Sequence, residues 1–351
     1  MTLGLGKQLL FIDRDMYKRH GSHILIVGAT GSGKSSSLMK VAYNLYKVGE
    51  TVIWRDDANL EFFGFLKVLP VKCFLPEGCT LKYRHENLEF VHYNPQDLSR
   101  LFPQFENDRL NVLLFDLFSF DHEVTIKFWV RFFHELYRYK RARIHEPWSL
   151  VIDELNDLAP GTRRGYIKNQ LILASNIFHS TKKFRKMNLR LVGTTHNYND
   201  LHPPLRAQFD YYIFKSMRRE MVPERFWRYA SLIEKLPVDQ AIIVDRTGHF
   251  QIVEKWTEYT RHHSEPGVMV RLSPKRVMVP FDGEVSVEEA DTSAKATSAK
   301  WRTRALKLAR ILYEHGLLTK YSEFRDLLGL SEGYAWRLFK KVEENDLEAS
   351  V

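Results

Sequence analysis

The chain has 351 residues, of which 44% are apolar and 13% aromatic, a composition that predicts a packed globular protein and excludes global disorder. A single hydrophobic core rarely grows beyond about 300 residues, so we expect one large domain and a small second one. The net charge of +9 indicates a polyanionic partner.

The first motif in the chain follows an apolar stretch, residues 23–27, that predicts a buried strand. A glycine-rich loop comes next, and residues 34–48 then predict a helix. The loop has the spacing Gly-x4-Gly-Lys-Ser, in which backbone N–H groups and the helix N-terminus surround phosphate oxygens. Lys34 is expected to reach the β- and γ-phosphates, and Ser35 to bind Mg²⁺. The predicted ATP-binding residues are Gly28, Ala29, Thr30, Gly31, Ser32, Gly33, Lys34, Ser35 and Ser36.

The following segments alternate between strand and helix patterns. Predicted strands cover residues 51–55, 112–115, 149–152, 189–194 and 211–214, and predicted helices cover residues 122–141, 163–184 and 224–234. Residues 240–245 and 249–254 predict a hairpin at the sheet edge. This order predicts an α/β fold, in which a mostly parallel sheet has helices on both faces.

Cys73 and Cys79 are the only cysteines and do not form a Cys-x-x-Cys pair, so we expect no zinc site. We predict two ordinary thiols, with a disulfide across their short loop as the alternative.

An acidic pair ends the strand predicted at residues 149–152. Asp153 is expected to hold Mg²⁺ through water, and Glu154 to polarise the water that attacks the γ-phosphate. The alternative for such a pair is a helix N-cap. A glutamate in this place predicts hydrolysis rather than phosphoryl transfer to a second substrate.

Thr195 and His196 follow the next apolar strand, so we expect them beside the γ-phosphate, where a polar side chain can sense it. The alternative is a surface histidine. An arginine commonly meets the charge of the transferred phosphoryl group. Arg206, Arg163 and Arg164 are candidates, and we take Arg206 as the catalytic one; an ordinary solvated or DNA-contacting arginine is the alternative for each.

Positive charge is concentrated between Thr181 and Ala230, where eleven Lys and Arg residues stand against four acids. We predict DNA contacts for the groups that flank two strands of this stretch. An ordinary solvated face is the alternative. The predicted contacts here are Lys182, Lys183, Arg185, Lys186, Arg218 and Arg219.

The composition changes after residue 280, which we take as the end of a motor domain that starts at residue 1. Residues 281–300 are small, polar and acidic, and predict a linker. Residues 301–351 predict three short helices with a tight turn before the last, which favours a helix-turn-helix domain, winged-helix-like, over a dimerisation or capping module. Arg337, Lys340 and Lys341 on the last helix are predicted DNA contacts.

Several of these segments together resemble the HerA/FtsK superfamily of DNA-translocating ATPases, which includes conjugative coupling proteins and viral genome-packaging ATPases. "HILIVGATGSGKS" is similar to its phosphate loop, "VIWRDDANLEF" to its second-strand motif with Asp57 and Glu61, and "LVIDEL" to its acidic strand. "LRLVGTTHN" resembles its sensor strand, although His196 stands where the family has Gln. The resemblance covers about residues 6–253, with 62–149 poorly matched.

The resemblance implies a ring, hexameric, with ATP sites between subunits and duplex DNA in a positively charged channel. Within this superfamily the chain is similar to ATPases carried by archaeal viruses and plasmids. This similarity implies a viral protein or a nuclease as a further partner. The N-terminal barrel and the membrane segments of some family members are not recognisable. No apolar run reaches the ~18 residues of a membrane span, and a cytoplasmic protein is expected.

Two rival functions fit the same motifs. One is a nucleotide switch that binds DNA as a partitioning or regulatory factor, and the other is an ATPase that remodels protein. A small-molecule kinase is disfavoured, because no acceptor-site acid or lid motif is evident.

Overall fold

A computed structural model of the chain describes residues 12–56, 60–83, 85–119, 121–161, 169–254, 256 and 271–273. All of them lie in the first of two compact units, Met1–Val279 and Pro280–Val351. The predicted linker and helix-turn-helix domain lie outside the described residues, and so do Asp57, Arg163, Arg164, Arg337, Lys340 and Lys341. Within the described residues, no helix has the length and apolar character of a membrane span.

The helices follow the predicted order, with short additions. They are α1 (Ile12–Lys18), α2 (Lys34–Lys47), α3 (Phe115–Phe118), α4 (His122–Arg141), α5 (Leu155–Leu158), α6 (Gln170–Phe184), α7 (Pro203–Arg206) and α8 (Ala230–Glu234). Single 3-10 turns occur at Glu61–Phe65, Leu98–Arg100, Phe102–Gln104, Arg185–Met187, Tyr198–Asp200, Arg219–Met221 and Glu224–Tyr229.

The strands are β1 (Ile24–Val27), β2 (Thr51–Arg55), β3 (Val71–Pro76), β4 (Thr80–Lys82), β5 (Leu88–Tyr93), β6 (Leu110–Leu113), β7 (Trp148–Ile152), β8 (Leu189–Thr195), β9 (Tyr211–Phe214), β10 (Ala241–Asp245), β11 (Phe250–Val253) and β12 (Arg271–Ser273). In the described part of the chain ten of them form one sheet in the order β11-β10-β9-β1-β8-β7-β2-β6-β3-β5, and β12 pairs with β4.

The predicted α/β fold is confirmed by the strand pairing. Every neighbouring pair from β9 to β5 is parallel, and only the hairpin strand β10 runs antiparallel to its neighbours. Val151 and Val192 belong to the core that includes α2, while the alternating Leu150 and Leu191 are buried as well. Alternate residues point to opposite faces, so both faces are covered, as parallel sheets require.

Three element predictions are corrected. The strand expected at 112–115 is β6, which ends at Leu113, because Phe115 begins α3 and stacks on Phe128 with a centroid distance of 3.7 Å. Within the described residues the helix expected from 163 begins at Gln170, after Asn169 in a left-handed conformation with φ 67°. The helix expected at 224–234 is a 3-10 turn followed by α8.

Parallel strands give the sheet two different edges. We call the edge where β1, β7, β8 and β9 end the carboxyl edge, and the opposite one the amino edge. Because β10 is antiparallel, its last residue Asp245 lies beside Tyr211, the first residue of β9, at the amino edge. The glycine-rich loop follows β1, which lies between β8 and β9, and therefore leaves the sheet at the carboxyl edge.

A buried ion pair fixes the amino edge. Arg190 and Glu50 are both fully buried, and their charged groups lie 2.8 Å apart. Arg190 also donates to the carbonyls of Met16, Arg19 and Ser22 at 2.9, 2.9 and 2.7 Å. These bonds attach the segment between α1 and β1 to β8.

Cys73 and Cys79 are buried free thiols, so the structure has no disulfide between them.

His23, the residue before β1, makes hydrogen bonds that hold neighbouring elements together. Its Nδ1 accepts from the Leu191 N–H at 3.0 Å, so its other ring nitrogen carries the proton and donates to the Thr181 carbonyl at 3.0 Å. Burial, followed by the charge of Arg185, lowers the pKa of His23 to about 3. The ring is therefore neutral in the folded protein.

A pH dependence of stability follows from His23. Its pKa is lower in the folded than in the unfolded chain, where it is about 6.5, so protonation favours unfolding. Between about pH 6.5 and pH 3, we expect the unfolding free energy to fall by up to about 1.4 kcal/mol per pH unit from this group as the pH is lowered. Denaturant unfolding of the wild type and His23→Asn across this range measures the difference in slope. Parallel pH profiles of the two proteins would contradict the neutral, buried histidine.

Candidate functional site

The loop between β1 and α2 is shaped by its glycines. Gly31 and Gly33 have φ of 76° and 86°, in the left-handed region that favours glycine. A Cβ on Gly28 would lie 2.6 Å from the Ser32 hydroxyl oxygen, which leaves no room for a side chain. The Ala29 N–H donates to the Ser216 carbonyl at 2.9 Å and so ties the loop to the end of β9.

The loop fits a phosphate ligand. The Ser32 hydroxyl is buried and has no hydrogen-bond partner among the described residues, although buried polar groups normally have one. Lys34 is 6% exposed, and its ammonium group donates to the Ala29 carbonyl at 3.2 Å, at the base of the same loop. An unpaired hydroxyl and a buried ammonium group in a left-handed glycine loop suit phosphate oxygens.

Ser35 and Asp153 meet as the sequence predicts for a Mg²⁺ site. The Ser35 hydroxyl donates to Asp153 Oδ2 at 3.0 Å, and Asp153 is 4% exposed. Asp153 Oδ1 accepts from the Thr194 hydroxyl and, at 3.0 Å, from the Glu154 N–H. One carboxylate oxygen is thereby fixed and the other faces the loop. A hydroxyl and a carboxylate are ligands that Mg²⁺ prefers.

Glu154 sits on a left-handed turn between β7 and α5, with φ 46°. This conformation costs a non-glycine residue about 1–3 kcal/mol and is concentrated at functional sites. The Thr194 hydroxyl accepts from the Glu154 N–H at 2.9 Å and holds the turn. Gly193, next to Thr194, is required there, because a Cβ would lie 2.6 Å from the Leu155 side chain of α5.

His196 bridges Glu154 and Lys34. Its Nε2 lies 2.8 Å from Glu154 Oε1, and its Nδ1 lies 2.8 Å from the Lys34 ammonium group. Because the ammonium group can only donate, Nδ1 accepts its hydrogen bond, and the protonated Nε2 donates one to the Glu154 carboxylate. Burial, and then the charge of Lys34, lower the pKa of His196, which favours this neutral form. The predicted position of His196 beside the phosphate loop thus agrees with its contacts.

The electrostatics of Lys34 involve Glu61 of the second-strand motif as well. Burial lowers the pKa of Lys34, and the carboxylates of Glu154, Asp153 and Glu61 offset that effect. Glu61 begins the 3-10 turn after β2, and its carboxylate acts on the loop lysine from there.

A supporting layer behind Asp153 was missed by the sequence analysis. Arg55, the last residue of β2, donates to the Asp153 carbonyl at 3.2 Å and pairs with Asp116 at 2.5 Å. Both side chains are less than a tenth exposed. Asp116 also accepts from the Trp129 indole N–H at 2.8 Å. Only the apolar end of β2 with a terminal arginine signals this layer in the sequence.

Lys215 is a second buried lysine at the loop, also missed. It follows β9, its N–H donates to the Val27 carbonyl at 2.8 Å, and its ammonium group donates to the Val238 carbonyl at 2.6 Å. Burial lowers the pKa of Lys215 to about 8. A Cβ on Gly28 would lie 2.6 Å from the Lys215 Cβ, so the Lys215 side chain packs directly against the start of the loop.

Arg206 is held by the segment that follows His196. Its guanidinium donates to the Leu201 carbonyl at 2.6 Å and to the Asn199 carbonyl at 2.6 Å, and lies 5.3 Å from the Tyr198 ring centre. These contacts brace the loop after β8. A role of Arg206 towards another subunit's nucleotide stays a prediction and requires these bonds to open.

The predicted basic contacts fall at opposite edges of the sheet. Lys182 and Lys183 end α6, and Arg185 and Lys186 lie in the turn before β8, which places this group at the amino edge. Arg218 and Arg219 follow β9 and leave from the carboxyl edge. All but Arg185 are exposed. The contiguous basic stretch of the sequence therefore does not form one surface.

No family model and no curated protein matches the chain. Among solved structures, it is similar to the genome packaging NTPase B204 from Sulfolobus turreted icosahedral virus 2, with 14% identity, coverage of 66% of this chain and 96% of that one, and a TM-score of 0.44. The bacterial conjugative coupling protein TrwB has 13% identity, 70% and 86% coverage, and a TM-score of 0.44. VirB4 of Thermoanaerobacter pseudethanolicus has 12% identity, with coverage of 66% of this chain and 88% of that one and a TM-score of 0.42.

The described residues form a mostly parallel α/β sheet with a glycine-rich phosphate loop between β1 and α2, the fold of a P-loop NTPase, and the motifs that meet at its carboxyl edge resemble those of the HerA/FtsK superfamily.

Proposed function

We propose that this protein hydrolyses ATP and uses the hydrolysis to move duplex DNA through a ring of its own copies, hexameric, with ATP sites between subunits. The observation that supports hydrolysis most is the bridge from Lys34 through His196 to Glu154, beside the contact of Ser35 with Asp153. A phosphate-binding lysine, a metal-binding pair and a base thereby meet at one edge of the sheet.

Each residue of the site receives a role. Lys34 and the loop from Gly28 to Ser36 bind the phosphates, and Ser35 with Asp153 would hold Mg²⁺. The bound Mg²⁺ would withdraw charge from the phosphate oxygens. Glu154 takes a proton from a water molecule while the water oxygen attacks the γ-phosphorus. The bond from that phosphorus to the bridging oxygen breaks, and ADP and inorganic phosphate result.

The hydrogen bonds of His196 depend on whether Lys34 binds a γ-phosphate. When the Lys34 ammonium group turns to a γ-phosphate, His196 Nδ1 loses its donor, while Nε2 still faces Glu154. The ring is then free to reorient towards the phosphate and to bring Glu154 with it. Because His196 follows β8 directly, its displacement changes the loop up to Arg206.

The partner is proposed from charge and from the family resemblance. The predicted phosphate contacts are the groups at the two edges of the sheet, together with Arg337, Lys340 and Lys341 of the predicted helix-turn-helix domain. Viral packaging, in which a DNA motor fills a capsid, is the biological setting that the neighbouring packaging NTPase suggests.

Turnover of ATP with and without duplex DNA tests this function. We expect duplex DNA to stimulate turnover several-fold, because DNA contacts and the nucleotide site share strands of one sheet. Lys34→Ala should abolish turnover in both conditions, since it removes the phosphate-binding ammonium group. A nucleotide switch would be favoured instead if duplex DNA did not change ATP turnover and the protein stayed monomeric or dimeric with ATP.

A further inference from the structure

Four cations converge at the amino edge of the sheet from three separate parts of the chain. Arg19 follows α1, Arg185 and Lys186 lie in the turn before β8, and Arg246 follows β10. We call these four residues the amino-edge cluster. Arg185 and Lys186 are also predicted DNA contacts from the sequence, whereas Arg19 and Arg246 join them only through the fold.

One carboxylate organises the cluster. Asp210, just before β9, lies 2.9 Å from the Arg185 guanidinium and 3.9 Å from that of Arg246. The same carboxylate accepts from the His23 N–H at 2.9 Å, so it is fixed to the start of β1. Two guanidinium groups therefore share one anchored carboxylate.

The turn after α1 brings Arg19 to the same place. Gly21 has φ 74°, and a Cβ there would lie 3.0 Å from the Arg185 backbone. The Arg19 carbonyl accepts from the buried Arg190 at 2.9 Å, which fixes the backbone of this turn. Only glycine allows this approach of the two segments.

Positive charge remains in excess at this edge. Burial lowers the pKa of Arg185, Asp210 raises it, and the charges of Arg246 and Arg19 lower it further. Among the acids nearby in the described residues, Asp15 pairs with Lys18 and the buried Glu50 with Arg190, which leaves Asp210 and Asp245 to oppose the four cations. Side chains of Arg185 and Arg246 are still 30% and 52% exposed.

We propose that the amino-edge cluster binds the phosphate backbone of duplex DNA, and that Arg218 and Arg219 at the carboxyl edge contribute much less. This rests on the proposed function as a DNA motor. The fork of a guanidinium suits phosphate oxygens, and a carboxylate that holds two guanidinium groups fixes their orientation before DNA arrives. By contrast, Arg218 and Arg219 belong to one segment and are followed by Glu220.

The placement separates DNA from nucleotide while connecting them through one element. β8 starts three residues after Lys186 and ends one residue before His196, so its length, roughly 20 Å at about 3.3 Å per residue, spans the two sites. A shift of His196 on nucleotide binding is therefore applied to the strand whose other end adjoins the cluster.

Two double charge reversals of equal net charge test the proposal. Lys186→Glu with Arg246→Glu alters the amino edge, and Arg218→Glu with Arg219→Glu alters the carboxyl edge. Binding of a labelled mixed-sequence duplex to the full chain is measured by fluorescence anisotropy over a series of salt concentrations. We expect the first variant to bind at least about tenfold more weakly, with the salt slope reduced by roughly two, and the second to stay within about threefold of wild type.

Thermal melting of both variants shows whether each is folded, and Arg19→Glu provides a further variant at a residue whose side chain is exposed. Wild-type affinity in a folded amino-edge variant, or a larger loss at Arg218 and Arg219, would overturn the assignment and leave the DNA motor intact. A wild-type protein that does not bind duplex DNA would instead overturn the proposed function itself.

Discussion

Replacing Glu154 by glutamine is expected to lower ATP turnover by roughly two to four orders of magnitude while ATP still binds, since a general base contributes about that much. Gln has nearly the same size as Glu and keeps the polar contact with His196. It has no carboxylate to accept a proton from water. The phosphate loop and the contact of Ser35 with Asp153 are untouched.

The matched comparison is His196→Gln. A glutamine amide offers an oxygen to Lys34 and an N–H to Glu154, the same two functions that Nδ1 and Nε2 supply in the folded protein. We therefore expect this variant to lose far less turnover than Glu154→Gln, and His196→Ala to lose more than His196→Gln. Single-turnover hydrolysis and binding of a fluorescent ATP analogue separate the chemical step from affinity.

Two outcomes would contradict these assignments. Equal turnover in Glu154→Gln and wild type would exclude Glu154 as the base. Equal losses in His196→Gln and His196→Ala would show that the imidazole itself, rather than an acceptor and a donor in those positions, is needed.

The site could be predicted because its parts are local in sequence and end strands of one parallel sheet. The loop from Gly28 to Ser35, the pair Asp153 and Glu154, and His196 each follow a buried apolar strand directly. Parallel strands end at the same edge, so these three short motifs had to approach one another. The structure brings all three within hydrogen-bonding distance.

The supporting ion pairs could not be predicted, because their partners are distant in sequence. Arg55 and Asp116 are 61 residues apart, and Arg190 and Glu50 are 140 apart. A buried arginine in a strand has no local signature that names its carboxylate. The strands β3 and β5 were not predicted for a related reason, since they are recognised as strands of this sheet only through their parallel pairing.

The basic stretch shows how contiguity in sequence misleads. Residues from Thr181 to Ala230, with eleven bases and four acids, carry most of the chain's net charge of +9, yet β8 and β9 run through this stretch and divide it between two edges. Arg246 is outside the stretch and Arg19 is far from it, and both lie near Arg185. Charge counts along a chain therefore do not show which charged residues share a surface.

The second large effect concerns movement along DNA. If ATP hydrolysis drives the protein along duplex DNA, it should displace a third strand bound in the duplex groove ahead of it. Switches that hydrolyse ATP while bound to DNA lack this ability, because they do not advance. Displacement should be lost in Glu154→Gln, which is expected to bind ATP but to turn it over far more slowly, and in wild type given a non-hydrolysable analogue.

Displacement of a fluorescent third strand from a triplex is accordingly the most direct measurement of a DNA motor. With ATP, we predict that the wild type releases the third strand far faster than spontaneous dissociation, while Glu154→Gln releases none above that background. Stimulated ATP turnover on the same duplex with the third strand left in place would contradict translocation.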